Sequence, residues 1–316
     1  MPGADTQAEG GAINEHRGTI CYNGHGTRWV LAQETDGELL RSSCSPVRDF
    51  INEANHALCH QPYHGPEPVL EAFFATAREL GISEVEIRND LPDIVGTTDP
   101  GAVRTAAENA GVTIVSINAL YPFNVWSDDL PTRALKLADY AAASGAKALV
   151  MCPLNDGNEV SFDAVVAALK AMKPILEERR LTGLVEPLGF PISSLRTKKE
   201  AIAAIEAANG KGVYKLVHDT FHHHLAGETQ FYPEWTGLVH ISGVVDPRVA
   251  VDDMLDAHRV LLDASDRLEN IAQIKALTAA GFEGPYSFEP FATEVHALPD
   301  PKSAVQASIG HIRRSL

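Results

Sequence analysis

Four short stretches decide how this chain is read: LTGLVEP (181–187), VYKLVHD (213–219), TGLVHISG (236–243) and PYSFEPF (285–291). Each is a β-prone apolar run of strand length. Each also delivers, at or near its end, a side chain of the kind that binds cations: Glu186, Asp219, His240 and Glu289. Helix-period segments fill two of the three intervals between them, TKKEAIAAIEAAN (197–209) and RLENIAQIKALTAAG (267–281), and a short His-rich helix follows the second stretch.

The same rhythm runs outward in both directions. Upstream, DFINEAN (49–55) reads as a first strand, followed by a helix over 66–80, the strand EVEIR (84–88) and a helix over 99–110. TIVSINAL (113–120), a helix over 130–145, KALVMCP (147–153) and a helix over 161–179 lead into the first of the four stretches. Downstream, PKSAVQASIGHIRRSL (301–316) closes the pattern as a helix. Glycines 81, 111 and 210 stand just past three of these helices, where a stop is expected. Eight consecutive strand–helix units favour closure into a ring over an open sheet. An open doubly wound sheet would carry a Gly-rich phosphate loop, and neither GxGxxG nor GxxxxGK[ST] occurs. The expected fold is α/β: a (βα)8 TIM barrel spanning 48–316 as a single domain. Residues 1–47 are Gly-rich, polar and without sustained periodicity, and read as a poorly ordered N-terminal extension in which WVLAQETDGELL can form a short hairpin around Asp36-Gly37.

The chain has 316 residues, 45% of them hydrophobic, which excludes a disordered polypeptide. No apolar run approaches the ~20 residues that cross a bilayer. With 26 Lys and Arg against 42 Asp and Glu the formal charge is −16, and no basic patch offsets it, so nucleic acid is not an expected partner. Cys21, Cys44, Cys59 and Cys152 show no CxxC pairing, and no apolar leader precedes them. They read as reduced thiols in a cytoplasmic protein. A homo-oligomer is left open.

A (βα)8 barrel builds its site from the C-terminal ends of its strands. Glu53 stands there on strand one, Glu86, Arg88 and Asn89 on strand two, and Asn118 on strand three. Strands five to eight bring Glu186, Asp219, His240 and Glu289. Any one carboxylate could be a solvated loop anchor. Glu186 and Glu289 instead end apolar runs, where an unpaired buried carboxylate costs roughly several kcal/mol unless a cation or hydrogen bonds offset it. Three carboxylates and one imidazole suit Mn²⁺, Co²⁺, Zn²⁺ or Mg²⁺ and not a thiolate-selected metal. In HDTFHHH (218–224), Asp219 and His222 share a helical face, which favours a site role for His222, whereas His218 and His224 read as structural or exposed. There is no GxSxG, and Cys59 and Cys152 have no evident base partner; Cys152 reads as a pocket lining.

FINEAN (50–55), VEIRNDLP (85–92), SINALYPFN (116–124), LVEPLGFP (184–191), VHDTFHHHLAG (217–227), LVHISG (238–243), DAHR (256–259) and YSFEPF (286–291) together resemble the xylose-isomerase-like superfamily of sugar isomerases and epimerases. The likeness covers 49–316 and is nearest to inosose (2-keto-myo-inositol) isomerases. It implies one divalent cation held by Glu186, Asp219, His240 and Glu289, with Asn118, His222, Arg259 and Glu53 shaping the pocket of a small sugar or cyclitol. It also implies a proton shift beside a carbonyl through a metal-stabilised cis-enediolate, with Glu186 and Glu289 as the catalytic pair. Two departures fall on the substrate side. The acidic pair that often follows the strand-seven His is here Ile241-Ser242, and the loop after Arg259 lacks a Pro-Gly-x-Gly turn.

Related chemistry leaves rivals. Another ketose 3-epimerase or isomerase, or the metal-bound subunit of a C-glycoside deglycosidase acting on 3-oxo-glycosides, would need nearly the same residues; the latter would also require a partner subunit. Apurinic-site endonucleases share the barrel but use three zinc ions and a basic surface, against which the charge of −16 and the lack of further strand-end histidines count. A non-catalytic sugar-binding barrel would have no use for an exposed Lewis acid.

Overall fold

The computed structural model describes residues 18–22, for which only the backbone is considered, together with 69–89 and 94–316. Seven parallel strands follow one another in chain order: β2 (Glu84–Arg88), β3 (Thr113–Leu120), β4 (Ala148–Met151), β5 (Thr182–Val185), β6 (Tyr214–Asp219), β7 (Thr236–Ile241) and β8 (Tyr286–Phe288). A short strand β1 (Gly18–Tyr22) lies parallel to both β8 and β2 and completes the ring. Helices α1 (Val69–Glu79), α2 (Pro100–Ala110), α3 (Leu130–Ala143), α4 (Phe162–Arg179), α5 (Lys198–Ala207), α6 (Thr220–Ala226), α7 (Asn270–Ala279), α8 (Thr293–His296) and α9 (Pro301–Ser315) surround it. The (βα)8 expectation therefore holds.

The position of the first strand differs from the sequence expectation. The slot between β8 and β2 is filled by GTICY at 18–22, inside the stretch read above as an extension, while the candidate strand 49–55 lies outside the described residues. GTICY is β-prone but only five residues long and embedded in Gly-rich polar sequence, too short to show a period.

Strand alternation sends one set of side chains outward to the helices and the other into the barrel. Leu149, Met151, Val185, Leu216, Val239, Ile241 and Phe288 face outward and join the main apolar core with the helices. Ala148, Val150, Leu184, Val217 and Leu238 form a separate apolar layer inside the ring. Two residues further along β5, β6 and β7 come Glu186, Asp219 and His240, so the inward register that buries the aliphatic layer also stacks the polar layer directly above it. Residue pairing keeps that layer level: Asp219 is opposite His240, His240 opposite Ser287, and Arg88 opposite Asn118.

The loops above this layer are long where the site needs cover. Between β7 and α7 the chain makes two 3₁₀ turns, Val251–Asp253 and Asp256–His258, before Arg259. After β5, Gly189 passes so close to α6 that a Cβ there would sit 2.1 Å from the His222 carbonyl oxygen, a packing that only glycine permits. Among the described residues no helix is long and apolar enough to cross a membrane.

Candidate metal centre

Glu186, Asp219, His240 and Glu289 are all buried, and one potential ligand atom from each lies within 4.8 Å of the others. His240 sits at the centre. Its Nδ1 is 2.9 Å from Glu186 Oε1, 3.1 Å from Glu289 Oε2 and 4.0 Å from Asp219 Oδ2. The expected quartet is thus brought together, and among the described residues it is the one such grouping.

Each carboxylate is held from behind. Asp219 caps α6: its Oδ1 accepts the backbone N–H groups of Phe221 (2.7 Å) and His222 (3.1 Å), leaving Oδ2 for the centre. Cys152 donates its thiol to Glu186 Oε2 at 3.3 Å, which places this residue in the site more closely than a pocket lining. Burial, reinforced by Glu186 and Glu289, pushes that thiol well above its usual range, so it stays a neutral donor. Glu289 Oε1 accepts from Arg88 Nη1 (2.9 Å) and Asn118 Nδ2 (3.1 Å), and its Oε2 from Arg259 Nη2 (3.0 Å). Burial alone would raise the Glu289 carboxyl, but His240, Arg259 and Arg88 outweigh it and hold the group well below the ordinary carboxylate range. The mirror image applies to His240: burial works against its charged form, and Glu289, Glu86 and Glu186 override burial and raise its pKa well above the usual value.

The other sequence candidates fall into place unevenly. Asn118 is buried and bridges Glu289 and Glu86, the latter at 3.2 Å. Arg259 is 1% exposed; besides Glu289 it donates to Asp219 Oδ2 (2.6 Å), Ser242 Oγ (2.9 Å) and Asp256 Oδ1 (3.1 Å), between the rings of Phe221 and Phe291. His222 is buried at the start of α6 against Phe190 and Phe221, and its Nδ1 has no hydrogen-bond partner among the described residues. His218 points away, its Nε2 2.9 Å from Gln273 Oε1, and His223 packs 2.6 Å from Lys198 Nζ. Glu53 lies outside the described residues.

Glu86, Arg88, Ser116 and Ser242 surround the quartet, yet the sequence reading gave none of them a role. The available signal was the alternation of β2, which turns Glu86 and Arg88 to the same side, and the strand-three partner Ser116 opposite Glu86.

Taken together, four buried carboxylates (Glu86, Glu186, Asp219 and Glu289) face two guanidinium groups, Arg88 and Arg259. Among the described residues the carboxylates thus outnumber the guanidinium groups around His240. A divalent cation suits this acidic, oxygen-rich donor set with one imidazole.

Comparison with known proteins places the chain in a fold family. The family model described as xylose isomerase-like TIM barrel matches residues 74–315. A xylose isomerase domain-containing protein from Salmonella typhimurium LT2 shares 35% identity, covering 78% of this chain and 91% of that one, with a TM-score of 0.72. The IolI protein, solved with a bound zinc atom, is 20% identical over 76% of this chain and 92% of its own, with a TM-score of 0.68. An L-ribulose 3-epimerase is 20% identical over 78% of this chain and 88% of its own, with a TM-score of 0.61. No curated protein sequence matches. The family match over most of the chain, and the 35% identity to a structure covered almost end to end, show that the chain belongs to the xylose isomerase-like TIM barrel family.

Proposed function

We propose that this protein is a divalent-metal-dependent isomerase or epimerase that moves a proton between carbons next to a carbonyl in a keto-cyclitol or ketose, with inosose (2-keto-myo-inositol) as the first substrate to test. The observation that carries the reading is the buried quartet of three carboxylates and one imidazole, with one potential ligand atom from each within 4.8 Å of the others. Glu186, Asp219, His240 and Glu289 would hold the ion, and the zinc of the structurally similar IolI protein and the epimerase activity named for another neighbour support the assignment. When bound, the cation supplies Lewis acidity at the substrate's carbonyl and adjacent hydroxyl oxygens.

The hydrogen bonds divide the two glutamates. Glu289 accepts from Arg88, Asn118 and Arg259 and faces His240, so its negative charge is heavily stabilised. Among the described residues Glu186 Oε2 receives only the weak thiol donor of Cys152. Glu186 is therefore the better placed to take the carbon-bound proton, and Glu289 or Glu186 itself returns one to the neighbouring carbon. The guanidinium of Arg259, fixed by Ser242 and Asp256, holds positive charge beside the carboxylates where negative charge develops on the substrate. His222 Nδ1, buried and unpartnered among the described residues, is available to a substrate hydroxyl. The barrel domain is assigned from the strand ring through α9.

Incubating the metal-loaded protein with a panel of inososes and ketoses in D₂O tests the reading. Deuterium appearing at a carbon beside the carbonyl identifies substrate and reaction type together. Absence of exchange and of isomerisation across the panel would overturn it.

A further inference from the structure

Glu86 is a carboxylate that the reaction outlined above does not use, yet it is completely buried on β2, across the ring from β7. A buried carboxylate is retained at such a position only where its charge is matched. Three polar groups among the described residues approach it. One oxygen accepts from the Ser116 hydroxyl and the other from Asn118 Nδ2 at 3.2 Å. His240 is also a neighbour: its Nε2 lies 3.2 Å from Glu86 Oε1 and 3.4 Å from Oε2. The imidazole is therefore gripped on both nitrogens: Nδ1 faces Glu186 and Glu289, and Nε2 faces Glu86.

We infer that Glu86 is a positioning residue that takes the Nε2–H of His240, thereby leaving the Nδ1 lone pair directed at the cation site. The assignment rests on the metal reading of the quartet. A neutral imidazole carries one proton, and a ring nitrogen that binds a metal cannot keep it. With no acceptor at Nε2 the proton could reside on either nitrogen. A buried carboxylate at Nε2 selects one tautomer, fixes the ring plane and makes the other nitrogen more basic. Ser116 and Asn118 in turn hold Glu86, and Asn118 also touches Glu289, so one amide ties the His240 support to a second member of the quartet.

The test uses the full-length chain and zinc as the probe. Zinc affinity is measured by competition with a chromogenic chelator for the wild type, Glu86→Ala, Glu86→Gln and, as a reference, His240→Ala. Losing an outer carboxylate partner weakens metal binding by about 10–100-fold, and that loss is expected for Glu86→Ala. Glu86→Gln keeps the shape and an acceptor oxygen, so it should fall between Glu86→Ala and the wild type. A second readout is the imidazole N–H proton of His240 in ¹⁵N-histidine-labelled, zinc-loaded protein, assigned by its disappearance in His240→Ala. It should lie downfield in the wild type, move upfield in Glu86→Gln and be lost to exchange in Glu86→Ala. Melting of the metal-free proteins separates positioning from simple packing, since Glu86→Gln should melt near the wild type while binding zinc more weakly. If Glu86→Ala does not fold, Glu86→Gln alone decides. Unchanged zinc affinity and an unmoved His240 signal in the Glu86 variants, with binding abolished in His240→Ala, would refute the role of Glu86 while leaving the metal reading intact. A wild type that binds no zinc would remove both.

Discussion

Replacing Arg259 with methionine isolates what a buried guanidinium contributes to this site. Methionine keeps most of the apolar stem that lies between Phe221 and Phe291 but removes the charge and every side-chain donor. Asp219 Oδ2 then loses its 2.6 Å partner, and Glu289 Oε2 loses one at 3.0 Å. Removing one member of a buried ion pair costs about 3–5 kcal/mol, because the other is left charged and unpaired. Since 1.4 kcal/mol is about a factor of ten, the folded-to-unfolded ratio should drop by roughly two to three and a half powers of ten. Against a typical total of about 5–15 kcal/mol this is a large fraction.

The assay is urea unfolding of metal-free protein, followed by tryptophan fluorescence at pH 7.5 and repeated at decreasing pH. Glu289 has a folded-state pKa held well below the ordinary value, so its contribution to wild-type stability is present above about pH 4.3 and is lost as pH falls through the depressed value. In Arg259→Met part of that contribution is already gone, and acid relieves the carboxylates that lost the guanidinium by protonating them. The gap between the two proteins should therefore be widest near neutrality and should narrow as pH falls. A gap under about 0.5 kcal/mol at pH 7.5, the range of an ordinary surface substitution, would refute the reasoning, as would a gap that widens in acid.

Glu186→Gln and Glu289→Gln should each lower turnover by about 10²–10⁴-fold, the range of a lost acid–base group, with an unchanged far-UV circular dichroism spectrum; near-wild-type activity would show that the residue is not essential. Chelation should stop turnover and leave the circular dichroism close to native, because a barrel of this size is held by its apolar core; elemental analysis should find close to one ion per chain, and Mn²⁺, Co²⁺ or Zn²⁺ should restore activity to differing degrees. Burial, aided by Lys198 and His224, lowers the His223 pKa to about 3, so the folded protein resists its protonation; stability should be lost as pH falls from about 6.5 toward 3, and His223→Gln should flatten that part of the profile in urea unfolding.

How far the sequence carries depends on whether a feature is local. The strands bearing Glu186, Asp219, His240 and Glu289 were readable because an apolar run that ends on a cation-binding side chain is a local pattern. The strands Glu84–Arg88 and Thr113–Leu120 match their sequence reading residue for residue, while the helix boundaries coincide with their readings or fall up to three residues inside them. The residues that support the quartet were partly readable, since Glu86, Arg88 and Asn118 stand at strand ends and the resemblance names Arg259, but their partners were not. Glu86 and His240 are 154 residues apart and meet only because the ring closes. Arg259 sits far along the loop after β7, and its burial depends on Asp219, Ser242, Asp256 and Glu289 converging from three different elements. The histidines of 218–224 show the same limit: residue type marks the segment as polar, but strand phase sends His218 to Gln273 and helix phase sends His223 to Lys198.

The two oxygens of the carboxylates explain how such a charged layer can be built at all. Asp219 gives Oδ1 to the backbone of α6 and Oδ2 to Arg259 and the centre; Glu186 gives Oε2 to Cys152 and Oε1 to His240. Glu289 divides its contacts between Arg88 and Asn118 on one oxygen and Arg259 and His240 on the other. One oxygen of each group is thus anchored by the scaffold, which limits rotation of the side chain, while the other converges on the shared centre. Anchoring by backbone amides, a neutral thiol and fixed guanidinium groups needs no rearrangement when charge develops nearby, which is the condition for electrostatic preorganisation. It follows that substitutions behind the quartet should act by loosening the geometry of the carboxylates, and substitutions within it by removing a ligand or a proton acceptor. Cys152→Ala, which frees Glu186 Oε2 without changing any charge, should therefore weaken turnover far less than Glu186→Gln; an equal loss would mean that the thiol takes part in the chemistry itself.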